Sequence, residues 1–480
     1  MNILFLSNDA PNYFHFFNSL AGIFRENGAK IYFAADCQFS IKKNRLDQIG
    51  VDFFDFKKFA NNHVISKEIL HKYDKYNLNY ALLSDFERSE INGVWGKVDT
   101  EFFEHLKSAL LSFYEYIFEK NKINFVLYEN VSNTFAYFAL FVAQERGAQY
   151  IGLGCSRIPG RFSITNNPLE DISAYEAFKK IENKELLVSN DVKSWAENYI
   201  SKIDHTSPDY MSFNKLNEVF FFKRYLKKEK IKILPLLISH VLDRRNAAFQ
   251  VGNPFISYFN LFRKNLLRRI RVNIIKHFYD TPSLEEKFLL YPLHFHPESS
   301  TSVLAGAYLN EYEVIRNIAF SLPQGIRLYV KDHLSAWGYQ PFDFYRKIKN
   351  LPNVYLLEPN SPTKEIIKKS IGVVTLTSTV GYEALLLKKR VFLLGRVFYE
   401  FHKGVIKIND PMRVGSVFSE KINDPINWTD EYNNNFICAY YYSTYSGTLN
   451  LMLKNDEAKK LAKNVYPEIM KCIDSKNKRQ

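Results

Sequence analysis

Between Val373 and Leu386 the chain reads VVTLTSTVGYEALL. An apolar run rich in β-branched residues stops at Thr377, Ser378 and Thr379, and Gly381 and Glu383 follow. A strand that leads into a helix leaves free backbone N–H groups and the positive end of the helix dipole at the junction. Hydroxyls placed there can cradle a phosphate. Gly381 would let backbone approach a ligand, and Glu383, one turn in, can accept hydrogen bonds from ribose hydroxyls. Ser and Thr are also ordinary helix N-caps, so the local pattern serves either use.

A second such junction is LHFHPESST, from Leu293 to Thr301. His294 and His296 share one face of an extended segment. Glu298, Ser299 and Ser300 then open a helix, which predicts a second anion-binding helix start. His-x-His also allows a metal site with Glu298 or His333, but no third ligand is clearly spaced, so no metal is expected. In YVKDH, Lys331 and His333 follow a strand. A cation and an imidazole there can neutralise a phosphate or assist its departure. In the amino-terminal half, LYENVSN puts Glu129 and Asn130 at a strand end, where a carboxylate can act as base or nucleophile or favour the next helix dipole. Arg157 and Arg161 in GCSRIPGRF suit an anionic acceptor or a donor carboxylate. Asn8 and Asp9 follow the first strand.

The elements that must position these residues alternate. Strands are expected at NILFLS, KIYFAA, INFVLYEN and QYIGLG, with helices between them closed by Gly28 and Gly147. The alternation lapses from about residue 166. It resumes at KFLLYPLHFHPE, then a helix near Ser302 to Phe320, IRLYVKDH, NVYLLEP, a helix from Pro362 to Ser370, IGVVTLT, TVGYEALLLKK and RVFLLG. Strands separated by such helices imply parallel sheets with right-handed crossovers. The fold class expected is α/β: two Rossmann-like doubly wound domains facing across a cleft, the GT-B architecture, with a basic helical insertion. The expected divisions are 1–165 (amino-terminal, acceptor side), 166–285 (basic helical insertion), 286–415 (carboxyl-terminal, nucleotide side) and 416–480 (helical tail). In open α/β sheets ligands bind beyond the carboxyl ends of strands, where all of these candidate residues fall.

A chain of 480 residues exceeds one ordinary core. Its net charge of +13 suits an acidic partner. Four cysteines with no CxxC pair suggest neither a zinc site nor a disulfide framework. The start MNILFLSNDA lacks a basic leader region, and no apolar run approaches the ~18 residues of a spanning helix. The expected location is cytoplasmic. Two stretches, FFFKRYLKKEKIKILPLLISHVL and YFNLFRKNLLRRIRVNIIKHF, interleave aromatic and basic residues. No nucleic-acid-binding module is visible, and nucleic acid is not expected as a partner. An anionic membrane surface fits better, with Arg263, Lys264, Arg268 and Arg269 carrying the attachment.

Four segments, YPLHFHPESSTS, LYVKDH, FYRKIKNLPNVYLLEP and VVTLTSTVGYEALLLKKRVFLLG, resemble the capsule-synthesis glycosyltransferases, a group that includes the Kdo transferases. YENVSNTFAYFALFVAQERGAQYIGL with SRIPGRF resembles the amino-terminal half of related surface-carbohydrate proteins. The resemblance implies a GT-B enzyme with its nucleotide-sugar donor in the carboxyl-terminal domain and no further cofactor. In enzymes of similar build a His-Pro element and a hydroxyl pair hold the phosphate of a CMP-sugar; here these are His296-Pro297 and Ser378-Thr379. The family often has His-Pro after the Lys-acid pair, where this chain has His333-Leu334. The family's acidic motif, which carries its catalytic Asp, has no clear counterpart, and Glu129 becomes the expected catalytic carboxylate, with His333 assisting.

The expectation is a transferase moving a sugar, an ulosonic acid from CMP in the first instance, to a glycan or lipid-linked acceptor at the inner face of the cytoplasmic membrane. Its alternatives are a nucleotide-sugar epimerase or hydrolase on the same scaffold and a non-catalytic capsule-assembly protein.

Overall fold

The computed structural model describes residues 1–10, 12–92, 95, 98–213, 234–235, 238, 250, 253–283 and 285–477. The first sheet is built from β1 (Asn2–Ser7), β2 (Lys30–Ala35), β3 (Asp52–Asp55), β4 (Phe125–Glu129), β5 (Gln149–Cys155) and β6 (Arg161–Thr165). From β3 through β2, β1 and β4 to β5 the pairing is parallel, and β6 joins β5 antiparallel. The strands are near-continuous apolar runs because helices cover both faces. Ile3, Leu4 and Phe5 are wholly buried, as are Val126 and Leu127. The second sheet holds β7 (Phe288–Pro292), β8 (Arg327–Lys331), β9 (Val354–Leu357), β10 (Gly372–Thr375), β11 (Arg390–Leu393) and β12 (Val405–Lys407), in the order β12-β11-β10-β7-β8-β9. Every pair in it is parallel. The protein is therefore α/β with two doubly wound, GT-B-like domains. The β4 and β5 ends of one sheet and the β7, β8 and β10 ends of the other border the cleft.

Three expectations change. The carboxyl-terminal tail is not a separate unit. Its strand β13 (Thr444–Ser446) pairs antiparallel with β6 and completes a seven-stranded first sheet. Its last helix, Asn455–Asn477, lies against helix Tyr13–Glu26, with the Phe24 and Tyr466 rings 4.8 Å apart. Ala458, Ala462, Val465 and Ile469 fall at one-face helical spacing and are buried there. The insertion is also less independent than its composition implies. Helices Ser173–Glu182 and Asn190–Ser201 share an apolar cluster with Tyr382, Leu385 and Leu393 of the second domain. The expected helix from Ser302 to Phe320 is broken. The chain makes a short turn of helix, Ser299–Ser302, then a 3-10 turn, then helix Glu311–Ser321 with Asn310 as its N-cap. Gly306 in the break sits where a Cβ would lie 3.0 Å from the Tyr80 hydroxyl, so the first domain packs into the interruption.

A chain ending at Lys454 should consequently expose the apolar face of helix Tyr13–Glu26. It is expected to lose a cooperative melting transition and to aggregate. Soluble yield and thermal unfolding beside the full-length protein check this; a truncated chain that melts like the parent would separate the tail from the first core.

Candidate functional site

The second-domain wall of the cleft is organised by Glu311. Its carboxylate is buried and accepts from the Tyr291 hydroxyl at 3.1 Å, the His294 backbone N–H at 3.0 Å and His294 Nδ1 at 2.7 Å. The other ring nitrogen, Nε2, lies 3.2 Å from Thr375 Oγ1 and accepts a weak bond from the Thr377 N–H at 3.4 Å. That acceptor role leaves the proton of a neutral His294 on Nδ1. His294 is thus a structural strut between β7 and the end of β10, with both nitrogens engaged inside the protein. His296 reaches across the cleft. Its Nδ1 is 3.1 Å from both carboxylate oxygens of Glu87 in the first domain, and its Nε2 is 3.5 Å from Glu311. Burial opposes a charge on His296, but its bonds to Glu311 and Glu87 outweigh that and lift its pKa to about 10. Burial would likewise raise Glu311, yet the two histidines hold it down at about 2.

The opening stretch forms the predicted strand-to-helix junction. Ser378 N-caps helix Thr379–Leu386, its hydroxyl accepting from the Val380 N–H at 3.1 Å. The Ser378 N–H donates to Thr375 Oγ1 at 3.1 Å, and the Thr379 hydroxyl is 2.8 Å from the Tyr210 hydroxyl. The Thr377 hydroxyl is buried with no hydrogen-bond partner among the described residues. Gly381 has a different reason from the expected one. A Cβ there would sit 2.4 Å from the Tyr399 hydroxyl, which donates to the Ser378 carbonyl at 2.7 Å. The close approach seen is to Tyr399, which braces the helix start. Glu383 lies 3.6 Å from Lys364, and its pKa is raised by burial in spite of Lys364 and Lys331.

Lys331 and His333 stand at the end of β8, as expected, but the charge state of His333 differs from the expectation. Burial lowers Lys331 to about 8, and its amine donates to the Pro359 carbonyl at 2.7 Å. Burial, with His294 and Lys331 close by, lowers His333 to about 4, so it is neutral near pH 7 and cannot serve there as a cation. Its Nδ1 has no partner among the described residues. The second expected anion-binding start at Glu298, Ser299 and Ser300 opens only the four-residue helix Ser299–Ser302, too short for a useful dipole. The Ser300 hydroxyl donates to the Glu298 carboxylate at 3.0 Å, and those of Thr301 and Ser302 donate to the Glu298 carbonyl. Among the described residues no group of three or more His, Cys, Asp or Glu is arranged to hold a metal ion.

On the first-domain wall, Glu129 ends β4 half-buried and accepts from the Ser132 hydroxyl at 2.5 Å. Burial raises its pKa, with Ser132, the Arg88 charge and the Tyr13 hydroxyl acting against the rise. Arg157 follows β5 with its guanidinium 4.9 Å from the centre of the Tyr210 ring, and its backbone N–H donates to the Tyr440 hydroxyl at 2.8 Å. Burial disfavours its charge, but Tyr210, Tyr440, Glu298 and Cys155 keep it firmly protonated. The other candidates are engaged elsewhere. Arg161 donates to Thr444 Oγ1 at 2.8 Å and to the Tyr441 and Thr444 carbonyls, pinning the tail rather than facing an anionic acceptor. Asn8 accepts from the Tyr128 hydroxyl at 2.9 Å, and Asp9 is ion-paired with Lys43. Asn130 lies over β5, where a Cβ at Gly152 or Gly154 would come within 2.7 Å of its side chain.

Sequence reasoning missed Glu87, Arg88, Tyr210, Glu311 and Tyr399. Each sits inside a helix or loop with no motif around it, and only Asn310, a good N-cap just before Glu311, gave a local signal.

Residues 278–410 match the family model described as capsule polysaccharide biosynthesis protein. The match covers the second sheet through β12 and includes His294, His296, Lys331, His333, Ser378 and Glu383. A search of curated proteins finds no significant match. Among solved structures, the chain is similar to KpsC, a beta Kdo 2,4 transferase of Thermosulfurimonas dismutans, at 13% identity over 66% of this chain and 79% of that one, with a TM-score of 0.30. It is also similar to the UDP-GlcNAc 2-epimerase of Methanocaldococcus jannaschii, at 12% identity, covering 92% and 98%, with a TM-score of 0.26. A third likeness is to the UDP-GlcNAc 2-epimerase of Neisseria meningitidis bound to UDP-GlcNAc, at 13% identity, covering 98% and 100%, with a TM-score of 0.27.

Two outcomes follow from the site. Gly381→Ala should destabilise the protein by about 1–3 kcal/mol, because the new methyl displaces the Tyr399 brace; denaturant unfolding measures it, and an unchanged midpoint would remove the brace. The His296 bridge should make stability pH-dependent. A pKa raised from 6.5 to about 10 gives stability that is complete below 6.5 and is lost as pH rises through 10. The melting-temperature gap between wild type and His296→Gln is therefore expected to narrow steadily over that range. A gap that stays constant would mean that His296 is not charged in the folded protein.

Proposed function

We propose that the protein is a nucleotide-sugar-dependent glycosyltransferase of bacterial surface polysaccharide biosynthesis. The observation that carries this reading is the juxtaposition of two half-sites. A capped helix start with a buried hydroxyl, Thr377, that has no partner among the described residues lies in the domain that matches the capsule family model. Tyr210 joins that start to Arg157 of the first domain, through its hydroxyl to Thr379 and its ring under the guanidinium, and Glu129 ends β4 of the same domain.

In this reading the donor phosphate lies against the N-terminus of helix Thr379–Leu386, where backbone N–H groups and the dipole offset its charge. Glu383 takes the ribose hydroxyls, and Lys331 adds a buried cation. Arg157 faces the sugar. A fixed guanidinium suits a carboxylate on that sugar, which favours a CMP-linked ulosonic acid as donor. The acceptor hydroxyl of a growing glycan attacks the anomeric carbon and gives its proton to Glu129, while the bond from that carbon to the phosphate oxygen breaks and the electron pair leaves with the nucleotide. A carboxylate whose pKa is raised by burial is a stronger base than an exposed one, which suits the task. His333, neutral near pH 7, can orient the leaving phosphate by a hydrogen bond but cannot neutralise it.

Nucleotide release from CMP- and UDP-sugars, measured with and without glycan acceptors, tests the reading. Release that depends on acceptor supports transfer, release without acceptor indicates hydrolysis, and silence with every donor overturns an enzymatic role. Glu129→Gln is expected to keep donor binding and melting temperature while turnover falls by about 100-fold or more. Wild-type turnover should also fall on acidification, because a base with a raised pKa is protonated sooner. Normal turnover in the variant would assign the proton to another group.

A further inference from the structure

Helix Pro254–Ile275 is amphipathic in an inverted sense. Lys264, Arg268 and Arg271 face the protein, and six apolar residues face out. Arg268 is buried, donating from Nε to the Trp337 carbonyl at 2.5 Å and from Nη2 to the Ser335 carbonyl at 3.0 Å. Arg271 donates to the Tyr339 and Gln340 carbonyls, each at 3.2 Å, and the Lys264 amine lies 4.8 Å from the Tyr339 ring centre. Gly338, at φ 71°, makes room for this seat, since a Cβ there would come within 3.0 Å of the Arg268 carbonyl oxygen. On the opposite side Phe255, Ile256, Phe259, Leu266, Ile270 and Ile274 are exposed, Phe259 to 63% and Ile270 to 53%. At 100° per residue these six positions fall within one narrow arc, so they form a continuous stripe. Arg263 is exposed on the same arc, Arg269 is exposed beside its edge, and Lys276 is exposed just beyond the helix end. From Asn253 to Tyr279 the sequence holds no Asp or Glu.

We infer that this outward face docks on an anionic lipid surface, with its apolar stripe in the headgroup–acyl boundary and Arg263, Arg269 and Lys276 against lipid phosphates. Charge complementarity selects that occupant. A second copy of the chain would set one cation-only rim against another, whereas an anionic leaflet supplies the missing sign. No helix among the described residues is long and apolar enough to cross a membrane, so the attachment is shallow. The assignment revises the expectation from sequence. Of the four residues expected to carry attachment, Lys264 and Arg268 hold the helix to the protein, and the apolar stripe does the insertion. The first of the two basic stretches lies almost wholly outside the described residues. Ser335 and Trp337, which anchor Arg268, belong to the turn that follows His333. One rigid connection therefore links the docking face to the cleft and would hold it beside a lipid-linked acceptor. The inference does not depend on the donor's identity.

The test is co-sedimentation of the full-length protein with phosphatidylglycerol–phosphatidylcholine vesicles and with phosphatidylcholine vesicles alone. Wild type should bind the anionic vesicles, less so as salt rises. Phe259→Glu with Ile270→Glu should weaken binding by about tenfold or more while the melting temperature is kept, because both side chains are exposed. Arg263→Glu with Arg269→Glu should weaken it and flatten its salt dependence. Arg268→Ala should instead lower the melting temperature. Equal binding to both vesicle types, or wild-type binding by the Phe259→Glu, Ile270→Glu variant, would overturn the assignment. So would a wild-type dimer in sedimentation equilibrium that the same variant dissociates, since the stripe would then belong to a second copy.

Discussion

One buried carboxylate fixes the geometry of the cleft. Glu311 is held within a shell of donors from Tyr291, from the His294 backbone and ring, and from His296. An ionised carboxylate in an apolar interior is costly unless its lone pairs are filled, and here they are filled by groups from the end of β7. The consequence passes outward by contact. His294 sets the end of β10 through Thr375 and Thr377, and that end sets where helix Thr379–Leu386 begins. His296 carries the same charge network to Glu87 and so to the other domain. Truncating Glu311 would leave an imidazolium and a tyrosine hydroxyl without their acceptor, a far larger penalty than the loss of one hydrogen bond.

Around that centre the cleft is a place of opposed, largely buried charges. Burial strips His333 of its charge and lowers Lys331, Glu129 and Glu383 gain affinity for protons, and Arg157 and His296 remain ionised. Such divergence among neighbouring groups follows from unequal burial and unequal charged surroundings. Tyrosines complete the arrangement. Tyr210, Tyr399 and Tyr440 come from three distant parts of the chain and each joins an apolar body to a polar tip, which lets them stack or pack while bracing Arg157, Ser378 and Thr379.

The carboxyl-terminal tail shows how the two domains are kept in register. After the second sheet the chain crosses back, lays helix Asp430–Tyr442 on the helices that follow the first sheet, adds β13 to that sheet and closes with a helix against Tyr13–Glu26. Both domains are thus tied at two points, the β6 exit and the tail. Arg161 fastens the second tie by its bonds to Tyr441 and Thr444.

What the sequence determined by itself was whatever depends on neighbours along the chain. Apolar runs located β1, β2, β4, β5 and β7 to β11, and a strand followed by Ser or Thr located the capped start at Ser378. These are consequences of backbone hydrogen bonding and period, and they hold in any context. The strands β3 (DFFD), β6 (RFSIT), β12 (VIK) and β13 (TYS) escaped because polar residues leave them no continuous apolar run, and the break between Ser302 and Glu311 escaped because no proline marks it. Partners far apart in the chain were decided only by the tertiary structure. Glu87 meets His296 across 209 positions, and Arg161 meets Thr444 across 283. Charge state belongs to the same class. Nothing next to His333 or Lys331 in sequence says that folding will strip their hydration, and nothing beside Arg268 says that it will bind carbonyls while its helix turns Phe259 to the outside. Composition gave the cations and the apolar residues of that helix, but the direction each one faces follows from which side the rest of the protein fills.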